Sequence, residues 1–105
     1  MRKYEKKQIM LKLTALIGKK IEAITASKKW TSREISEHTG VPENRISEIK
    51  HFKKYQKPIT KEMFGKFLRG GIVRAFDVNF IGLSDKERAY VNALIRDAYI
   101  IKEEP

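Results

Sequence analysis

The chain has no cysteine among its 105 residues. Disulfide staples, thiolate metal sites and cysteine nucleophiles are therefore excluded, and the absence accords with a reducing cytoplasm. Histidine is nearly as scarce. His38 and His51 stand apart, and neither is paired on its own helix with a second imidazole at ligand spacing in the company of carboxylate or cysteine ligands, so no metal is expected. No apolar run approaches the ~20 residues that cross a bilayer. The stretch from Ile9 to Ile17 is interrupted by Lys12 and Thr14 and lacks a small-residue cleavage site, so neither a membrane contact nor a signal peptide is expected. Gly70-Gly71 stands alone and does not make a phosphate-cradling loop. Asp77, Asp85 and Glu87 do not form a catalytic pair, because Glu87 is explained by helix capping. With no nucleophile beside a base, neither an enzyme nor a cofactor is expected.

Acidic residues are also short. Thirteen Asp and Glu face 23 Lys and Arg, leaving a net charge of +10. The excess is unevenly placed. Residues 1–30 carry a net +7 and residues 42–69 a net +5, while 31–41 and 70–105 each carry −1. A surface charged only for solubility mixes its signs throughout, although solvated lysines on helix backs account for about half of these groups. The pattern points to a polyanion met by the first two thirds of the chain.

Residues 31–51 say which polyanion. Thr31 and Glu34, three apart, fit a capping box at a helix start. Ile35 and Thr39 share a face of that helix, and the small Ser36 lets a second helix cross closely. Gly40 sits where a helix end wants positive φ. Val41 plugs the corner, and Pro42 pre-sets φ for the next helix. Ile46 and Ile49 then face inward, opposite Asn44, Ser47, Glu48 and His51. Two short helices about a tight turn form a helix-turn-helix, which on a basic chain implies double-stranded DNA read through the major groove.

The stretch resembles the helix-turn-helix of the Cro and phage-repressor (Xre-type) group. Lys28-Lys29-Trp30-Thr31 is similar to that group's passage from helix one to helix two, Ile46-Ser47-Glu48-Ile49 to its recognition-helix core, and Pro58-Ile59-Thr60 to the start of its helix four. The similarity covers about residues 13–69. Three positions depart from the pattern. Ser36 replaces a frequent Ala, Thr39 replaces a usual Leu, and Lys50–Tyr55 replaces a shorter loop containing Glu-x-Gly.

The resemblance implies roles by position. Glu43, Asn44, Ser47 and Glu48 occupy base-contacting slots. There Asn44 can bond bidentately to adenine, Glu48 can accept from the cytosine amino group, and Ser47 permits close approach. Arg45 forks onto guanine or holds a phosphate, its flanking position favouring phosphate. With Arg45, the cations Lys50, Lys53, Lys54 and Lys57 offset the two glutamates and fix register on the backbone. Ser32 either meets a phosphate at its helix N-terminus or simply caps. Thr60 and Lys61 repeat that role. Trp30 is expected in the core. Phe52 and Tyr55 either tuck onto the core or stack on unpaired bases.

The expected fold is all-α: a compact bundle of about five helices containing the helix-turn-helix, plus a C-terminal helix. Ile9, Leu13, Leu16, Ile17, Ile21 and Ile24 make one stripe across residues 3–28, where Gly18 marks either close packing or a bend. Helices are expected over about 32–39, 43–52 and 60–69, with a basic loop over 53–58. Segment 72–82 suits a helix slightly better than a strand. Ser84 and Glu87 form a second capping box for a helix running to about Tyr99. The organisation reads as a basic N-terminal extension (1–12), a DNA-binding domain (13–69) and a packing or dimerisation segment (70–105), in which Phe76, Phe80, Val91, Leu94 and Ile95 supply a homodimer surface. The leading expectation is a repressor in a bacterial cytoplasm, associated with the nucleoid and encoded by cell or phage. An antitoxin or phage accessory factor that binds a partner protein is the alternative. A nucleic-acid-coating protein comes third.

Overall fold

The computed structural model describes residues 1–102, with side chains through Ile100. The chain is all-α. The elements are α1 (Lys3–Ala26), α2 (Ser32–Thr39), α3 (Glu43–Lys50), α4 (Phe52–Tyr55), α5 (Lys61–Arg69), a 3-10 helix (Ala75–Phe80) and α6 (Asp85–Lys102).

α1 is the spine. Its apolar residues recur at three and four, so Ile9, Leu13, Ile17 and Ile21 line one face, and all four are fully buried. α1 packs on α3, α2 on α3 and α5 on α6. Gly18 explains how the first contact closes. The helix continues through it unbroken, and a Cβ there would lie 2.5 Å from the Ile49 carbonyl oxygen. Close packing, not a bend, is its role.

Thr14 does more than interrupt a hydrophobic run. Its buried hydroxyl donates to the Met10 carbonyl at 2.6 Å and accepts from the Ile59 N–H at 2.9 Å. One side chain thereby satisfies a buried backbone donor 45 residues away and pins the approach to α5 onto the spine.

Several boundaries differ from expectation. α3 stops at Lys50, and Phe52, expected to end it, winds with residues 53–55 of the anticipated basic loop into the short α4. Without the glycine of the resembled pattern, Gln56 ends α4 at φ +46°, a left-handed conformation that costs a side-chain-bearing residue. Segment 72–82 is not a strand. Ile72 and Val73 are buried before the 3-10 turn, whose Val78 is also buried. The N-terminal extension is continuous with the rest of α1, and its Ile9 and Met10 belong to the core. Residues 103–105 of the anticipated C-terminal segment lie outside the described residues.

The C-terminal segment is stitched to the spine. Lys20 pairs with Asp77 at 3.0 Å, and Lys12 reaches the Gly82 carbonyl at 3.3 Å and Glu87 at 3.8 Å. Partial burial pushes the Asp77 carboxyl upward. The Arg74 N–H and the Lys20 charge outweigh that push and hold it below its ordinary value. Among the described residues, no helix is long and apolar enough to cross a membrane.

Candidate nucleic-acid interface

The turn between α2 and α3 is assembled from local chemistry. Thr31 accepts from the Glu34 N–H at 3.1 Å while Glu34 accepts from the Thr31 N–H at 3.0 Å, so two orphan donors are satisfied reciprocally. Gly40 takes φ +80° and closes α2. Val41 is fully buried at the corner.

The two departures from the resembled pattern at Ser36 and Thr39 act on that corner. Ser36 donates to the Val41 carbonyl at 2.6 Å. The Thr39 hydroxyl donates to the Ile35 carbonyl at 2.8 Å and accepts from the Val41 N–H at 3.2 Å. Both polar groups of Val41 are thus held by side chains of α2. A hydroxyl at each of these spacings was the available signal, and a reading of size and hydrophobicity alone passes over it.

With the corner fixed, α3 has an inside and an outside. Ile46 and Ile49 are buried, whereas Glu43, Asn44 and Ser47 are exposed. Glu48 is half-buried, and its Oε1 accepts from Arg45 Nη1 at 2.7 Å. That bond, aided by the Lys57 charge, holds the Glu48 carboxyl below its ordinary value despite the opposing pull of desolvation.

Arg45 is correspondingly engaged. Its side chain is only 12% exposed, and Nη2 lies 3.5 Å from the Pro58 carbonyl. The guanidinium expected on a phosphate or a guanine is instead an internal clasp between α3 and the segment leading to α5. Its neighbours remain outward. Lys53, Lys54, Lys57 and Lys61 are exposed, Lys50 is half-exposed, and none of the five forms an ion pair among the described residues. Ser32 is half-buried in the first turn of α2. Tyr55 is 47% exposed beneath the Lys54 ammonium and is not tucked onto the core. Phe52 is half-buried. Trp30 rests against the core with its ring centroid 4.4 Å from that of His38, which gives that histidine a packing role.

The anticipated dimer surface divides. Val91 is fully buried and packs inside its own chain, so it is withdrawn from that surface. Leu94 and Ile95 are half-buried against the same core. Phe76 and Phe80 are 66% and 71% exposed and pack edge to face at 5.3 Å. Their spacing of four on a helix would have set them together on one side, and so does the 3-10 turn.

No family model, no curated protein and no solved structure matches this chain.

Proposed function

We propose that the protein is a sequence-specific, double-stranded DNA-binding regulator of the Cro and phage-repressor kind, repressing transcription by occupying promoter DNA. It would act in a bacterial cytoplasm, at the nucleoid, whether encoded by the cell or by a phage. The observation that carries the reading is the outer row of α3. Exposed Glu43, Asn44 and Ser47 stand on a helix anchored by Ile46 and Ile49, beside a flank of cations without carboxylate partners among the described residues. The major groove admits such a helix, and an amide can read adenine bidentately. Glu48 joins the row through its second carboxylate oxygen, aimed by Arg45. Lys50, Lys53, Lys54, Lys57 and Lys61 neutralise backbone phosphates, with Ser32 at the α2 N-terminus.

One recognition helix spans few base pairs. Specificity therefore calls for a homodimer on a palindrome with half-sites about one helical turn, ~34 Å, apart. The Phe76–Phe80 pair lies in the near-neutral segment, where two basic chains repel least. The same exposed pair favours a second reading, an antitoxin-like or accessory protein that grips a different protein through these rings.

Fluorescence anisotropy against duplexes of selected and scrambled sequence separates the roles. Asn44→Ala should weaken the selected site by about 1–3 kcal/mol and leave the scrambled duplex unchanged. Lys53→Ala with Lys54→Ala should weaken both duplexes and flatten the log–log salt slope by about 0.9 for each phosphate no longer neutralised. Equal weakening of both duplexes by Asn44→Ala would rule out base reading by that residue.

A further inference from the structure

At the end of the recognition helix, α1, Lys50, His51 and α4 line a half-open cavity of about 330 Å³. Ala15, Gly18 and Phe52 supply its apolar surface. Lys19, Lys50, Lys53 and Lys54 surround it together with the imidazole of His51, against one carboxylate, Glu22. None of these four ammonium groups forms an ion pair among the described residues. A cavity of this size is within the ~300–1,000 Å³ range of small-molecule sites, which combine an apolar lining with a few polar groups that set orientation.

We propose that this cavity binds a small aromatic anion, of about two fused rings carrying one acidic group, and that its occupancy releases DNA. The charge of the rim selects an anion. The floor of Ala15, Gly18 and Phe52 offers nothing to hydrogen-bond and the polar groups, His51 included, stand at the rim, so the body of the ligand is apolar. The rim favours an aromatic body over an aliphatic chain, because ammonium groups are attracted to ring faces. Lys54 already rests 5.3 Å from the centroid of the Tyr55 ring, and Lys29 makes the same kind of contact with Trp30 at 5.2 Å. A ligand acid bound here engages Lys50, Lys53 and Lys54, the cations assigned above to DNA phosphates. Ligand and duplex then compete for the same charges, and each weakens the other reciprocally. This second half of the proposal rests on the DNA-binding reading, whereas the first half does not.

The test is an amide-resolved NMR titration of the full chain with 1-naphthoate, compared with the neutral 1-naphthalenemethanol and the aliphatic decanoate. Naphthoate should saturate at sub-millimolar Kd, with shifts confined to residues 15–22 and 50–54. The alcohol and decanoate should bind at least tenfold more weakly. Lys19→Ala, a rim residue given no DNA role, should weaken naphthoate several-fold. Ala15→Trp should fill the space and abolish the shifts; if that variant does not fold, Lys19→Ala decides. Shifts spread over all the lysines without saturation, equal binding of the alcohol or decanoate, or unchanged affinity in Lys19→Ala would each overturn the site. In anisotropy, naphthoate should raise the duplex Kd several-fold, and unchanged duplex affinity at saturating naphthoate would overturn the competition. Naphthoate binding without any duplex binding would sink the DNA reading and keep the cavity. Duplex binding without naphthoate binding would do the reverse.

Discussion

Residues 31–51 and residues 70–100 are both short helical stretches closed onto the same spine, yet they hold their shapes by different means. In the first, the bonds of the corner are made almost entirely within about ten residues, Thr31 with Glu34 and Ser36 and Thr39 with Val41, while Lys66 of α5 reaches the Gly40 carbonyl at 3.4 Å. In the second, the 3-10 turn and the start of α6 have local caps as well, Arg74 with Asp77 and Ser84 with Glu87, but the capping carboxylates are in addition tied to Lys20 and Lys12, which come from α1. The first segment keeps its apolar residues inside and offers a polar row. The second leaves two phenylalanine rings in solvent. A locally determined corner suits a probe that must hold its angle without a partner. A segment held from a distance, with exposed rings, suits a surface completed by another molecule.

The comparison breaks most visibly at the inner face of α3. Ile46→Ala should cost about 2–5 kcal/mol in urea unfolding, because a fully buried side chain leaves a cavity. Asn44→Ala, two residues away, should stay within about 0.5 kcal/mol. Similar losses at both positions would mean that α3 has no outer face. Gly18→Val should cost about 1–3 kcal/mol, since the added Cβ meets backbone oxygen that cannot move aside. Thr14→Val and Thr39→Val each strand a buried backbone N–H and should each lose about 1–3 kcal/mol in the same assay.

Acid should act more on the second segment, where two carboxyls are held low, than on the first, where Glu48 alone is. The Ser84 N–H leads the causes that hold Glu87 low, with Lys12 adding its charge, and Asp77 is also held low. A carboxyl depressed in the fold stabilises it above the unfolded pKa, and that contribution disappears as pH falls through the folded value. Urea midpoints should therefore be level from about pH 7 to 5 and drop below about pH 4, the ordinary carboxylate range. Hydrogen exchange should show residues 75–87 opening before 31–51. The smallest effect is expected at the exposed rings. Phe76→Ser with Phe80→Ser should leave monomer stability within about 0.5 kcal/mol while shifting sedimentation toward the monomer. A dimer that survives the double change would move the interface elsewhere.

What was legible in the sequence follows the same division. The limits of α2, the corner at Gly40 and Val41, and the Ser84–Glu87 capping box are encoded by neighbours three or four apart, and a linear reading reaches them. The Arg45–Glu48 clasp also joins residues only three apart. It was hidden because the flanking position of Arg45 becomes sheltered only when the Pro58 segment folds against it. The double bond of Thr14 and the burial of Val91 depend on contacts between distant elements, so periodicity could mark those residues but not assign their work. The path after α3 is not legible in the sequence, because Gln56 adopts a conformation that usually announces itself with glycine.

The most direct test of the central claim is selection of bound sequences from a random duplex pool, followed by footprinting. A two-fold symmetric site, with half-sites about one helical turn apart and protection that needs higher protein concentration in Asn44→Ala, is the predicted result. Purified protein that enriches no sequence over the starting pool would contradict it.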